Sequence, residues 1–266
     1  MEKSLISYFK TLGITVNTCT KARGHYGFFL NNRIDISKNT PKEKVINVLL
    51  HEFSHYIHNK IELDISKTGG TLEKLFCTED TKIIEEELLK VTHEVDENSK
   101  YQKLLRHKEF AKSRIKYYEQ QIKKEYPNFL RSKKFKDFEK YIRHSKAKFL
   151  MKYDRVKYVT PFLRRVEYYS INNIEKDFKD IKPSFAAYIR LHSFQKKQAR
   201  ISAKINKLNK YYKRPTELFS RLVESLYTDK IKTQNIAPKA TERFFELLNN
   251  GYYFELKNVF EMTNII

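Results

Sequence analysis

The segment "NVLLHEFSHYIHNK", Asn47 to Lys60, sets three histidines and a glutamate in one short apolar run. Residues four apart stack on one face of an α-helix, so His51 and His55 can offer two imidazoles to a single metal ion. Glu52 then projects beside the coordination position left open. This is the HExxH arrangement, which pairs two zinc ligands with a general base for a metal-bound water. The chemistry to expect is hydrolysis of a peptide bond, with Glu52 taking a proton from the water and delivering it to the leaving amine.

A catalytic zinc needs a third protein ligand. The longer pattern HExxHxxGxxH fails, because His58 stands at the glycine and Ile61 at the third histidine. His58 is displaced towards the next helical turn and is expected behind the ligands or at the surface. The third ligand should then be a glutamate from a later helix. The carboxylates on offer are Glu85, Glu86 and Glu87 in "IIEEELL", and Glu217 or Glu224 in "RPTELFSRLVESL". A closed structural zinc site would instead need a fourth side chain such as Cys77 or His58.

The elements that must position these groups are legible. "NTPKEKV" opens a helix, with Thr40 as cap, Pro41 at the first helical position and Glu43 completing a capping box. Val45, Val48, Leu49, Phe53 and Ile57 follow at helical spacing. Upstream, Leu5–Leu12 reads as a short helix and Ile14–Asn17 as a strand. Tyr26–Leu30 and Arg33–Ser37 form a hairpin around Asn31-Asn32. Downstream, Leu218, Phe219, Leu222, Val223 and Leu226 mark one side of an amphipathic helix that starts at Pro215. Only 6 Gly and 6 Pro break the chain, and from Thr81 to Arg214 the pattern is helical almost throughout, interrupted at Pro127, Pro161 and Pro183.

The hairpin, then "VLLHEFSH", then a distant glutamate helix resembles the zincin-fold ImmA/IrrE-like metallopeptidases. "RPTELFSRLVESLY" is similar to the segment that ends the metallopeptidase domains of large polyvalent proteins of phages and mobile elements, which read roughly as PTELFARAFEAY. Ser220 stands where that pattern usually has alanine, and Val223 where it has phenylalanine. The resemblance implies one Zn2+ per chain held by His51, His55 and Glu217. Glu224 would orient a ligand histidine, with His58 and Glu87 as other outer partners or alternative ligands. It also implies that "HYGFF" is an edge strand, where a protein or peptide substrate adds as a strand along His25, Tyr26, Gly27 and Phe28.

The fold expected is α+β: a zincin-like core of a small sheet and an active-site helix, carrying a long, basic, all-helical insertion. Residues 1–98 and 214–266 would form the core, and 99–213 the insertion. The charge map agrees with that division. Lys100 to Arg214 holds 34 Lys+Arg against 10 Asp+Glu, whereas the rest of the chain holds 19 against 22, within a net charge of +21. Basic residues there interleave with Tyr and Phe, as in "KKFKDFEKYIRHSKAKF", a composition that can track phosphates and stack bases. The alternative function is therefore a nucleic-acid-binding protein of a mobile element, its zincin core inactive or secondary. Zinc-finger spacing, an RNP pattern and a helix-turn-helix signature are all missing from the sequence. Tyr168, Tyr169 or His192 could stabilise an oxyanion, and nothing selects among them. The first residues lack the apolar run of a signal peptide and no stretch is long enough to span a membrane, so a cytoplasmic protein is expected. Cys19 and Cys77 fit no ligand spacing and read as reduced, buried small residues.

Overall fold

The computed structural model describes residues 1–21, 26–62, 70–95, 100–160 and 164–266. Helix α1 (Glu2–Thr11) leads into strands β1 (Thr15–Thr20), β2 (Gly27–Leu30) and β3 (Arg33–Ser37). Helices α2 (Val45–Ile61), α3 (Leu72–Phe76) and α4 (Lys82–Val95) follow, then α5 (Lys100–Glu125) and α6 (Lys133–His144). Strands β4 (Arg155–Val159) and β5 (Val166–Ser170) precede α7 (Ile174–Asp177) and α8 (Pro183–Tyr212). The chain closes with α9 (Pro215–Thr228), α10 (Lys230–Ile236), α11 (Pro238–Asn249) and α12 (Phe254–Met262). The class is α+β. Among the described residues no helix is long and apolar enough to cross a membrane.

Backbone contacts divide the chain into two units, Met1–Asn98 with Asn209–Ile266, and Ser99–Leu208. The second holds 31 Lys+Arg against 10 Asp+Glu, and the first 22 against 22. Thus the whole surplus of +21 sits in Ser99–Leu208, and the first unit is neutral.

In the first unit β3 is the central strand, parallel to β1 and antiparallel to β2. Asn31 and Asn32, both at positive φ (48° and 55°), make the tight turn between β2 and β3. Positive φ at both central residues matches the right-handed twist of a hairpin, and Asn tolerates it better than most residues. Helix α2 packs on β2, β3 and α9. Its start differs from expectation. A 3-10 turn at Lys42–Lys44 precedes it, and Thr40 donates its hydroxyl to the Tyr26 carbonyl (2.8 Å) in place of a capping box. The Thr40 N–H goes to the Ser37 carbonyl at 2.9 Å, leaving Glu43 no cap donor to accept, and the hydroxyl ties the start of β2 to the entry of α2.

Phe9 stacks on Phe53 with centroids 4.4 Å apart, joining α1 to the middle of α2. On α9, Leu218, Phe219, Leu222, Val223 and Leu226 are all buried. Each contributes roughly 1.5–3 kcal/mol of burial, an upper figure against an extended unfolded chain. That holds α9 against α2 firmly enough to offset the cost of burying a carboxylate on the same helix.

The second unit corrects one expectation. It is not all-helical, since β4 and β5 pair antiparallel as a two-stranded ribbon. The ribbon's inward residues Val156 and Tyr169 join a core with Phe129, Phe138, Ile171, Phe185 and Ile189. The runs "RVKYV" and "VEYYS" alternate with period two, but they are short and set among helical lysine-rich sequence that masks them. Of the expected breaks, Pro161 lies outside the described residues. Cys19 and Cys77 are both exposed, not buried. Cys77 follows the short α3 in the left-handed region, φ 45°, at a helix end that faces solvent.

Candidate metal centre

Helices α2 and α9 pack face to face and carry the site between them. His51, His55 and Glu217 each offer a ligand atom, and the three atoms lie within 4.8 Å of one another. His51 Nε2 stands 3.6 Å from one Glu217 carboxylate oxygen, and His55 Nε2 stands 3.6 Å from the other. Among the described residues this is the one group of three or more His, Cys, Asp or Glu placed to hold an ion. Neither Cys77 nor any other side chain among the described residues joins it as a fourth ligand.

The outer nitrogens of both imidazoles are also spoken for, by residues of the same helix. His51 Nδ1 lies 3.2 Å from Glu224 Oε2, which also accepts from Arg221 Nη1 at 2.8 Å. His55 Nδ1 lies 3.3 Å from Ser220 Oγ, and that hydroxyl donates to the Thr216 carbonyl at 2.9 Å. A hydroxyl whose single proton goes to a carbonyl can only accept from the imidazole. His55 therefore carries its proton on Nδ1 and turns the Nε2 lone pair towards Glu217. Residues 217, 220 and 224 lie three and four apart, on one face of α9.

Whether these residues suit a metal can be judged from their own chemistry. Glu217 Oε2 is buried and has no hydrogen-bond partner. A buried carboxylate oxygen left without one is costly, and the His55 Nε2 lone pair turned on the same carboxylate adds a second uncompensated cost. A divalent cation among the three would relieve both. Two nitrogens and one carboxylate oxygen form a donor set suited to zinc, with a position left open. The residues fit.

Electrostatics agree. Burial alone would lower the pKa of His51, but the Glu217 and Glu224 carboxylates beside it outweigh that and raise it to about 10. Burial and then the His51 charge lower His55 to about 3. Glu217 falls to about 2, because the His51 and His55 imidazoles overcome its burial. Glu52 rises to about 7, chiefly through burial, with His51 opposing and Glu217 reinforcing. Its carboxyl is thus held near neutrality, where a general base is effective.

A small cavity of about 110 Å³ opens onto the group, lined by Tyr26, Gly27, His51, Glu52, Tyr211 and Arg221 among others. Gly27 is needed there. A Cβ on it would come 2.5 Å from Val48 Cγ1 and 3.1 Å from Glu52 Oε1. The Tyr211 side chain lies against Glu217, and burial together with that carboxylate pushes its phenol above the usual range.

The remaining sequence candidates fall elsewhere. His58 is fully buried, neither at the surface nor in the group. Its Nε2 lies 3.5 Å from Glu62 Oε2, and a Cβ on Gly70 would come 2.4 Å from its ring. Glu87 is not a ligand: its Oε2 accepts the Ala240 backbone N–H at 2.7 Å, capping the start of α11. Glu85 is half-buried and Glu86 exposed, neither in the group. Tyr26, Gly27 and Phe28 lead into and occupy β2, which pairs with β3 and has no strand on its other edge among the described residues. His25 lies outside them. Tyr168, Tyr169 and His192 belong to the other unit, and none lines this cavity. Tyr211 and Arg221 do line it, and sequence reasoning missed both. One turn of helix after Glu217, Arg221 carries a helical-spacing signal; Tyr211, before Pro215, carries none.

Comparison with family models, curated proteins and solved structures finds no match for this chain.

Proposed function

We propose that the chain is a zinc-dependent metallopeptidase with a zincin-like core, cutting a peptide bond in a protein or peptide substrate. One observation carries the reading: ligand atoms of His51, His55 and Glu217 lie within 4.8 Å of one another while Glu52 and His51 line one cavity. His51, His55 and Glu217 would hold the ion. Bound zinc would supply a Lewis acid to polarise the scissile carbonyl and acidify the attacking water.

The chain's own residues do the rest. Glu52 takes the proton of the attacking water and passes it to the nitrogen of the departing amine. Tyr211 and Arg221 offer donors on the wall of the same cavity, where the carbonyl oxygen gains charge. Ser220 and Glu224 keep the two imidazoles in register. The free edge of β2 begins at Gly27, against Glu52, so a substrate backbone that adds to that edge runs past the base. The cavity size supports an extended chain over a small molecule. About 110 Å³ is well below the roughly 300 Å³ at which small-molecule sites begin.

The test is metal content by elemental analysis, with cleavage of an unstructured protein such as casein. Wild type should carry about one zinc per chain, lost in Glu217→Ala. Glu52→Gln should keep the zinc and lose cleavage. Full metal retention in Glu217→Ala would overturn the ligand set, and undiminished cleavage by Glu52→Gln would overturn the reaction.

A further inference from the structure

The ribbon in the basic unit presents a face that its fold does not require. Along β4 the residues alternate, with Arg155, Lys157 and Val159 outward and Val156 and Tyr158 more covered. Along β5, Val166 and Tyr168 are outward. The register sets Lys157 directly opposite Tyr168, and Val159 opposite Val166. Tyr168 is 72% exposed, and Val159 and Val166 are 50% and 43% exposed. Arg164 and Arg165, just before β5, are exposed as well.

This face carries cations without acids. Glu167 points the other way, where it accepts from Lys146 (2.6 Å) and from the Tyr169 hydroxyl. Asp154, just before β4, is paired with Lys197 at 2.7 Å. Both nearby carboxylates are thus engaged. Lys157 faces Tyr168 directly across the ribbon, with Arg155 on the same face of β4 and Arg164 exposed just before β5, whereas Arg165 alternates to the Glu167 side. A ring left in water forgoes the gain from burial, and clustered cations repel one another. A partner that relieves both must be anionic and present flat apolar faces. Phosphates with unpaired bases answer that description, and acidic side chains lack the flat faces.

We propose that the exposed face of the β4–β5 ribbon binds single-stranded nucleic acid, with Tyr168 stacking on a base and Arg155, Lys157 and Arg164 on the flanking phosphates. This surface belongs to Ser99–Leu208 and the metal group to the other unit, and the proposal does not depend on peptidase activity. It also moves the basic unit's anion-binding character from its helices to its sheet.

The experiment is fluorescence anisotropy of the full chain with labelled single-stranded RNA and DNA of about 20 nucleotides, a matching duplex, and polyglutamate, across a salt series. The single strands should bind most tightly, and Tyr168→Ala should weaken them about ten-fold or more. Neutralising the three ribbon cations to Gln should reduce the salt slope by roughly 2. A control neutralises Lys103, Lys112 and Lys116, all exposed on α5, and should cost much less. Three outcomes overturn the proposal: no binding at low salt, equal binding of duplex or polyglutamate with Tyr168→Ala neutral, or a control as damaging as the ribbon set. Tyr168 is exposed enough that its loss leaves folding intact, which circular dichroism checks.

Discussion

Ser220 Oγ lies 3.3 Å from His55 Nδ1 while donating its own proton to the Thr216 carbonyl. The hydroxyl therefore acts on the imidazole only as an acceptor, which holds the His55 lone pair on Nε2, the side of Glu217. Helix α9 thus carries Glu217 and the partners that orient both imidazoles of the proposed ligand set. Ser220→Ala should lower zinc affinity about ten-fold, measured by competition with a chelating dye, and Ser220→Thr should restore it. Equal affinity in all three proteins would show that packing alone orients His55.

Glu224 serves His51 in the same way and also neutralises Arg221. Glu224→Ala leaves the guanidinium without that carboxylate in a mostly buried place, so two losses combine. Zinc affinity should fall about 10- to 100-fold. A double variant with Arg221→Met should recover stability without recovering affinity, as read from melting temperature and dye competition.

Glu87 provides the contrast. Its carboxylate accepts the Ala240 N–H at the start of α11, where an anion also favours the helix dipole. Glu87→Ala should destabilise the fold by about 1–2 kcal/mol. Zinc content per folded chain should stay unchanged, and a parallel loss of metal would reinstate Glu87 as a ligand.

Gly27 is in contact with the base. A methyl there meets Val48 at 2.5 Å and Glu52 at 3.1 Å, so Gly27→Ala must displace the strand or Val48 and crowds the glutamate as well. Overpacking of this kind costs about 1–3 kcal/mol. Casein cleavage should fall further than the melting temperature alone explains, with zinc content retained. A stable, metal-replete and fully active variant would remove β2 from the substrate path.

In the basic unit, Arg190 clasps Glu175 through both carboxylate oxygens at 2.6 Å. The guanidinium holds the Glu175 pKa below its usual value of 4.5 against a smaller opposing effect of burial. A depressed folded-state pKa contributes stability above the unfolded value and loses it as pH falls through the folded one. Glu175→Gln should therefore melt earlier than wild type near neutral pH, with the gap closing below about pH 4. A gap that persists in acid would trace the effect to packing instead of charge.

The sequence by itself determined the local parts of this protein. Four-residue spacing puts His51 and His55 on one face wherever α2 lies, and Asn31-Asn32 supplies the backbone freedom a tight hairpin needs. The charge surplus is a count. Apolar spacing marks α9, and Pro215 its first turn. Tertiary structure decided which distant groups meet. Glu217 and Glu87 both sit on amphipathic helices, yet one faces two imidazoles and the other caps α11. That choice depends on how α9 and α4 rotate about their axes as their apolar faces pack, which no spacing within either helix records. The same rotation brings Ser220 under His55, and the end of α8 brings Tyr211 to Glu217. The ribbon emerged only in three dimensions, because its two strands are too short to outweigh helical surroundings until they pair.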